Sequence, residues 1–100
     1  MAADFVVDRV KIADVCRRHG IRKLALFGSI LRDDFGAGSD VDVLVEFYPD
    51  RVPGFFGLHR IESELACLFG GRKVDLLTFR SLNPHLRDQV LAEAQVQYAA

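Results

Sequence analysis

Two short apolar runs joined by a small turn constrain this chain more than anything else in it. The first, Leu24-Ala25-Leu26-Phe27, leads into Gly28-Ser29; the second runs from Val41 to Phe47 and carries Asp40 and Asp42 at its start. Runs of this length, bounded by charge and glycine, suit strands, predicted here over 23–27 and 40–47. In the second, Val41, Val43, Val45 and Phe47 alternate onto one face, as in a half-buried strand. Asp40 and Asp42 then point together to the other face. Such a chain folds around a sheet that sets a glycine turn beside two carboxylates.

The flanking segments read mostly as helices. Asp4 to His19 places Phe5, Ile12 and Cys16 on one side, with Val6 and Ala13 beside them, interrupted by Arg9 and ended by Gly20. Ser29 to Asp33 has room for one or two helical turns, and 34–39, with Gly36 and Gly38, reads as a loop. Pro49, Asp50, Pro53 and Gly54 mark another loop. A helix over Phe55–Phe69 has the core stripe Leu58, Ile61, Leu65 and Leu68 and stops at Gly70-Gly71. At its start, Gly54-Phe55-Phe56-Gly57 reads as loop plus core. Lys73 to Phe79 is a third strand. Asn83-Pro84 then opens a last helix lined by Leu86, Val90, Ala94 and Tyr98. The order helix, strand, strand, helix, strand, helix predicts an α+β fold, a small mixed three-stranded sheet with helices packed against it.

One hundred residues without repeat or linker make a single domain, 1–100, and half of them are hydrophobic, enough for a modest core. A net charge of −1 disfavours a protein that lives on nucleic-acid backbones, even though Arg17, Arg18, Arg22 and Lys23 cluster. Those cations read as a solvated helix end. Cys16 and Cys67, in apolar surroundings without C-x-x-C spacing, read as buried thiols in a reducing compartment. His19, His59 and His85 are scattered, which argues against zinc. Without a signal-peptide pattern or an apolar run near the roughly 18 residues of a membrane span, the expected location is cytoplasmic.

The chemistry lies in the spacing. Two ionised carboxylates at i and i+2 on one strand repel each other unless a cation sits between them, and hard oxygen donors select Mg²⁺. A third carboxylate on a neighbouring strand completes a two-metal site, and Asp75, in Val74-Asp75-Leu76, is the candidate. Gly28 lets the backbone approach a phosphate. Ser29 opens a helix whose free N–H groups favour anions, and Arg32 stands one turn on. Taken singly, Ser29 is an ordinary N-cap, Arg32 a solvated helix cation and either aspartate a loop-end acid; only the constellation points to phosphate chemistry. The chain has no P-loop, no G-x-G-x-x-G between strand and helix and no G-x-S-x-G elbow.

Leu26-Phe27-Gly28-Ser29, then Arg32, then Ser39-Asp40-Val41-Asp42-Val43-Leu44-Val45, resembles the signature of the DNA polymerase β-like nucleotidyltransferase superfamily. Within it the chain resembles the minimal nucleotidyltransferases, or MNT proteins, at near full length. Val74-Asp75-Leu76 and the segment from Leu86-Arg87-Asp88 to Tyr98 extend the match. The resemblance implies a nucleotidyltransferase fold and transfer of AMP from ATP to a tyrosine of a helical HEPN-domain toxin, an RNase, for which the MNT protein is the antitoxin. It implies that Gly28 and Ser29 hold the β- and γ-phosphates with help from Arg32. Asp40 and Asp42 would bind two Mg²⁺, and Asp75 would share the second metal and help activate the attacking hydroxyl. Many relatives have Gly after the motif Arg, where this chain has Asp33 and then Asp34; these acids are expected to face solvent.

Three readings compete: a Mg²⁺-dependent adenylyltransferase antitoxin, an antitoxin that neutralises its toxin by binding alone, and a small-molecule nucleotidyltransferase. The last lacks residues for an acceptor domain, so the acceptor surface should come from a partner protein or from the chain's own oligomer. The Phe55-Phe56 stretch and the outer side of the last helix are apolar enough to serve as contact surfaces.

Overall fold

The computed structural model describes residues 8–28 and 40–100. The expected helix start at Asp4 and the short helix and loop across 29–39, including Ser29, Arg32, Asp33 and Asp34, lie outside the described residues.

The first helix, α1 (Arg9–His19), is capped by Asp8, whose carboxylate accepts the Lys11 backbone N–H at 3.1 Å. Gly20 closes it at φ 71°, as the sequence predicts. A side chain there would be strained and would collide with Arg51. Strands β1 (Ile21–Phe27) and β2 (Val41–Phe47) pair antiparallel. After α2 (Phe55–Leu68), β3 (Val74–Thr78) joins β2 in parallel. A short 3₁₀ turn (Phe79–Ser81) leads to α3 (Pro84–Glu93), which Asn83 caps through the His85 N–H at 2.9 Å.

The chain then departs from expectation. Residues Gln95–Ala99 form a fourth strand, β4, antiparallel to β1, so the sheet is four-stranded in the order β3-β2-β1-β4. Tyr98 belongs to this strand and not to the last helix. The spacing of Leu86, Val90, Ala94 and Tyr98 suits a helix, but Ala94 turns extended at ψ 137°. Continuing as helix would leave the outer edge of β1 without backbone partners. Pairing satisfies that row, down to the Ala100 N–H on Arg22 O at 2.9 Å.

The main core lies between one sheet face and the helices α1 and α2. Ile12 and Cys16 of α1 and Ile61 and Leu65 of α2 meet Leu24, Leu26, Val41, Val43 and Val45. Glu64 of α2 binds the guanidinium of Arg18 at 2.9 Å and pairs with His19, tying the two helices together on their solvent side. Arg9, the interruption in the first helix, donates to the Gln97 side chain at 3.2 Å and so binds α1 to β4.

A second, smaller core covers the opposite face, where Phe27, Leu44 and Leu82 meet Leu77, Val90 and Ala94. The expectation of a half-buried β2 is therefore corrected. Leu44 is buried too, only slightly less than the valines, because Leu82, Val90 and Ala94 pack over that face.

Two smaller expectations also fail. Cys16 is buried but Cys67 is exposed: it lies two residues beyond Leu65, which turns it about 200° around the helix from the buried stripe. Phe55 and Phe56 are neither loop nor core. They form the exposed first turn of α2, ring against ring at 5.7 Å. Among the described residues no helix is long and apolar enough to cross a membrane.

Candidate active site

Strand pairing brings the predicted residues of three segments to one end of the sheet. Phe27 is the cross-strand partner of Asp42, and Asp42 is in turn the partner of Asp75. Partners in a parallel pair point to the same side, so Asp42 and Asp75 share the face that carries Leu44 and Leu77. Asp40 precedes β2 directly. The start of that strand is pinned to β3 by the Val41 N–H on Lys73 O at 2.9 Å. All three aspartates are half-buried.

Gly28 follows β1 at φ 77°, in the left-handed region. A Cβ built there would collide with Asp42 Oδ2 and lie 3.1 Å from Asp42 Cγ. The missing side chain is therefore a requirement of the site: bare backbone meets the carboxylate directly. Asp75 adds a second unusual feature. Half-buried, it takes no hydrogen bond or ion pair among the described residues. A carboxylate so placed costs desolvation that no group among the described residues offsets.

The donor set suits a hard divalent cation, since it offers carboxylate oxygens on adjoining strands with one of them unengaged. Among the described residues no three acidic, histidine or cysteine side chains close on one point as a finished cage. The fit thus rests on the Asp42–Asp75 pair, with Asp40 at the strand entrance. Ser29 and Arg32 lie outside the described residues. Sequence reasoning did not single out Leu82, which meets Phe27 and Leu44 on the face the two aspartates share. Its signal would have been an apolar residue just ahead of the Asn83-Pro84 cap.

A glycine turn against one of a pair of strand aspartates, on a small mixed sheet, defines a class. The chain belongs to the nucleotidyltransferase domain family, whose sequence model matches residues 9–96. It is 37% identical over 84 residues to a candidate protein adenylyltransferase of Methanocaldococcus jannaschii, covering 84% of this chain and 87% of that protein. It is also 37% identical over 76 residues to the protein adenylyltransferase MntA of Thermococcus cleftensis, covering 76% and 74%. The solved structure of a candidate minimal nucleotidyltransferase superposes with a TM-score of 0.72 at 37% identity, over 87% of this chain and 86% of that one. At 21–22% identity the same fold recurs in two toxin–antitoxin structures. One contains AMP-PNP (TM-score 0.74, covering 94% and 75%), and the other is a tri-AMPylated Shewanella oneidensis HEPN toxin with its MNT antitoxin (0.65, covering 92% and 70%). The chain is thus a nucleotidyltransferase of the minimal kind, and its α+β fold is theirs.

Proposed function

We propose that this chain is a Mg²⁺-dependent protein adenylyltransferase that moves AMP from ATP onto a hydroxyl, a tyrosine's, of a HEPN-domain toxin, and so acts as its antitoxin. The observation that carries this reading is the pairing of Asp42 with Asp75 beside the bare backbone of Gly28. The names of the relatives support protein adenylylation, and a toxin–antitoxin neighbour containing AMP-PNP supports ATP as the donor.

In this reading Asp40, Asp42 and Asp75 hold two Mg²⁺ ions, which when bound neutralise phosphate charge and favour ionisation of the attacking hydroxyl. Gly28 leaves room for a phosphate at the end of β1. The Ser29 hydroxyl donates to it and Arg32 offsets its charge. The acceptor oxygen forms a bond to the α-phosphorus as the bond to the β-phosphate oxygen breaks, and pyrophosphate leaves. The Asp75 carboxylate, without a hydrogen bond or ion pair among the described residues, takes up the hydroxyl proton. In-line positioning and charge neutralisation are the whole requirement, so a minimal domain suffices.

The test is to incubate the chain with ATP, MgCl₂ and its HEPN partner and to weigh the partner intact. Whole AMP units should be gained, and chelation of Mg²⁺ should abolish the gain. A stable complex with no gain of mass contradicts transfer and leaves a binding antitoxin.

A further inference from the structure

Beyond the carboxylates, the same face of β2 continues through Leu44 to Glu46. Two adjoining cavities open there, of about 260 and 430 Å³, sharing Val45, Glu46 and Phe79. The floor of the first is apolar, built by Ala25, Leu44 and Ala94. Phe79, Leu91 and Val96 stand around it at 38–44% exposure, a large solvent contact for such side chains.

Charge around the groove is net positive once the Arg22–Glu46 pair is set aside. Arg22, Lys23 and Arg80 line it, and the guanidinium of Arg87 lies 4.7 Å over the Phe79 ring. The acid among the lining residues, Glu46, is already paired with Arg22. Lys23 and Arg80 take no ion pair among the described residues. Among the described residues Arg87 Nε is buried without a hydrogen-bond partner, while its Nη2 donates to Leu82 O at 3.5 Å. Against a net charge of −1 for the whole protein, this concentration of cations is local.

We propose that this groove seats an acidic segment of the protein that is modified, with an apolar side chain in the pocket between Leu91 and Val96 and carboxylates against Lys23 and Arg80. The inference rests on the adenylyltransferase reading for the identity of the partner. Charge complementarity argues for the acidic segment. The exposed apolar rim of Phe79, Leu91 and Val96 argues for protein over nucleic acid, whose binding is carried by phosphate contacts. Asp42 and Glu46 are four residues apart on a strand, about 13 Å. The groove and the carboxylates therefore fall within the footprint of one bound protein.

The test compares wild type with Lys23→Glu/Arg80→Glu in the complex with the HEPN toxin. Both side chains are exposed, and a thermal melt checks that the fold persists; Lys23→Gln/Arg80→Gln replaces the double reversal if it does not. The toxin Kd, and the KM for toxin in AMP transfer, should rise about tenfold or more while kcat holds, and added salt should weaken wild-type binding more than the variant's. Toxin affinity within about twofold of wild type overturns the inference, as does an unchanged toxin Kd with weakened retention of RNA. Wild-type protein that binds the toxin but transfers no AMP sinks the adenylyltransferase reading instead. The Kd comparison still decides the groove.

Discussion

Asp42 and Asp75 are direct partners across the parallel pair β2–β3, on one face of the sheet, and Asp75 takes no hydrogen bond or ion pair among the described residues. Two neighbouring carboxylates are a liability to a fold and an asset to a cation site. Asp75→Asn relieves the repulsion without breaking a hydrogen bond or ion pair among the described residues. Its effect on unfolding free energy should stay within about 0.5 kcal/mol of wild type, or be stabilising. Denaturant unfolding of the two proteins side by side checks this.

Gly28 offers no unstrained place for a side chain. Gly28→Ala requires a Cβ where Asp42 Oδ2 sits, at a backbone φ of 77°. The strained conformation alone costs about 1–2 kcal/mol. Displacement of the Asp42 carboxylate should lower AMP transfer about a hundredfold. A transfer assay paired with a thermal melt separates the two effects. Unchanged transfer would mean that Asp42 is not held where the chemistry occurs.

Glu64 sets an acid limit on the α1–α2 contact. The Arg18 hydrogen bond, seconded by His19, holds its carboxyl below the usual carboxylate range against the opposing effect of burial. A depressed folded-state pKa contributes stability that is fully present above the unfolded value, about 4.3, and is lost as pH falls through the folded one. Wild type should therefore be more stable than Glu64→Gln at neutral pH. The two curves should converge as pH drops below about 4. Urea unfolding across pH 3–7 checks the sign.

The two thiols should react differently. Burial pushes the Cys16 thiol up to about 12, against a smaller opposite pull from Arg17, whereas Cys67 is exposed. Thiolate is the reactive form. Iodoacetamide on the folded protein should add one label, at Cys67. Peptide mapping identifies the site, and labelling of Cys16 at a similar rate would contradict the packing of α1.

Much of the site was legible in the sequence because its signals are local. Alternation in Val41–Phe47 set Asp42 on the face opposite the valines, where it meets Asp75, and Asp75 stood out as an acid among apolar strand residues. β4 was not legible. Four-residue spacing from Leu86 to Tyr98 is ordinary helix grammar, and only the open edge of β1, a tertiary fact, decides otherwise. Phe55 and Phe56 misled for a related reason: apolar character predicts burial only when another element arrives to cover it. The groove was invisible, since Lys23, Glu46, Phe79, Leu91 and Val96 come from segments far apart in the chain.

The central claim is that the Asp42–Asp75 pair is where AMP is transferred. Its most direct test is the intact mass of the HEPN partner after reaction with ATP and Mg²⁺, comparing wild type with Asp75→Asn. Wild type should add AMP. The variant, folded and as stable as wild type, should add it about a hundredfold more slowly or not at all. Transfer by Asp75→Asn at the wild-type rate would contradict the account.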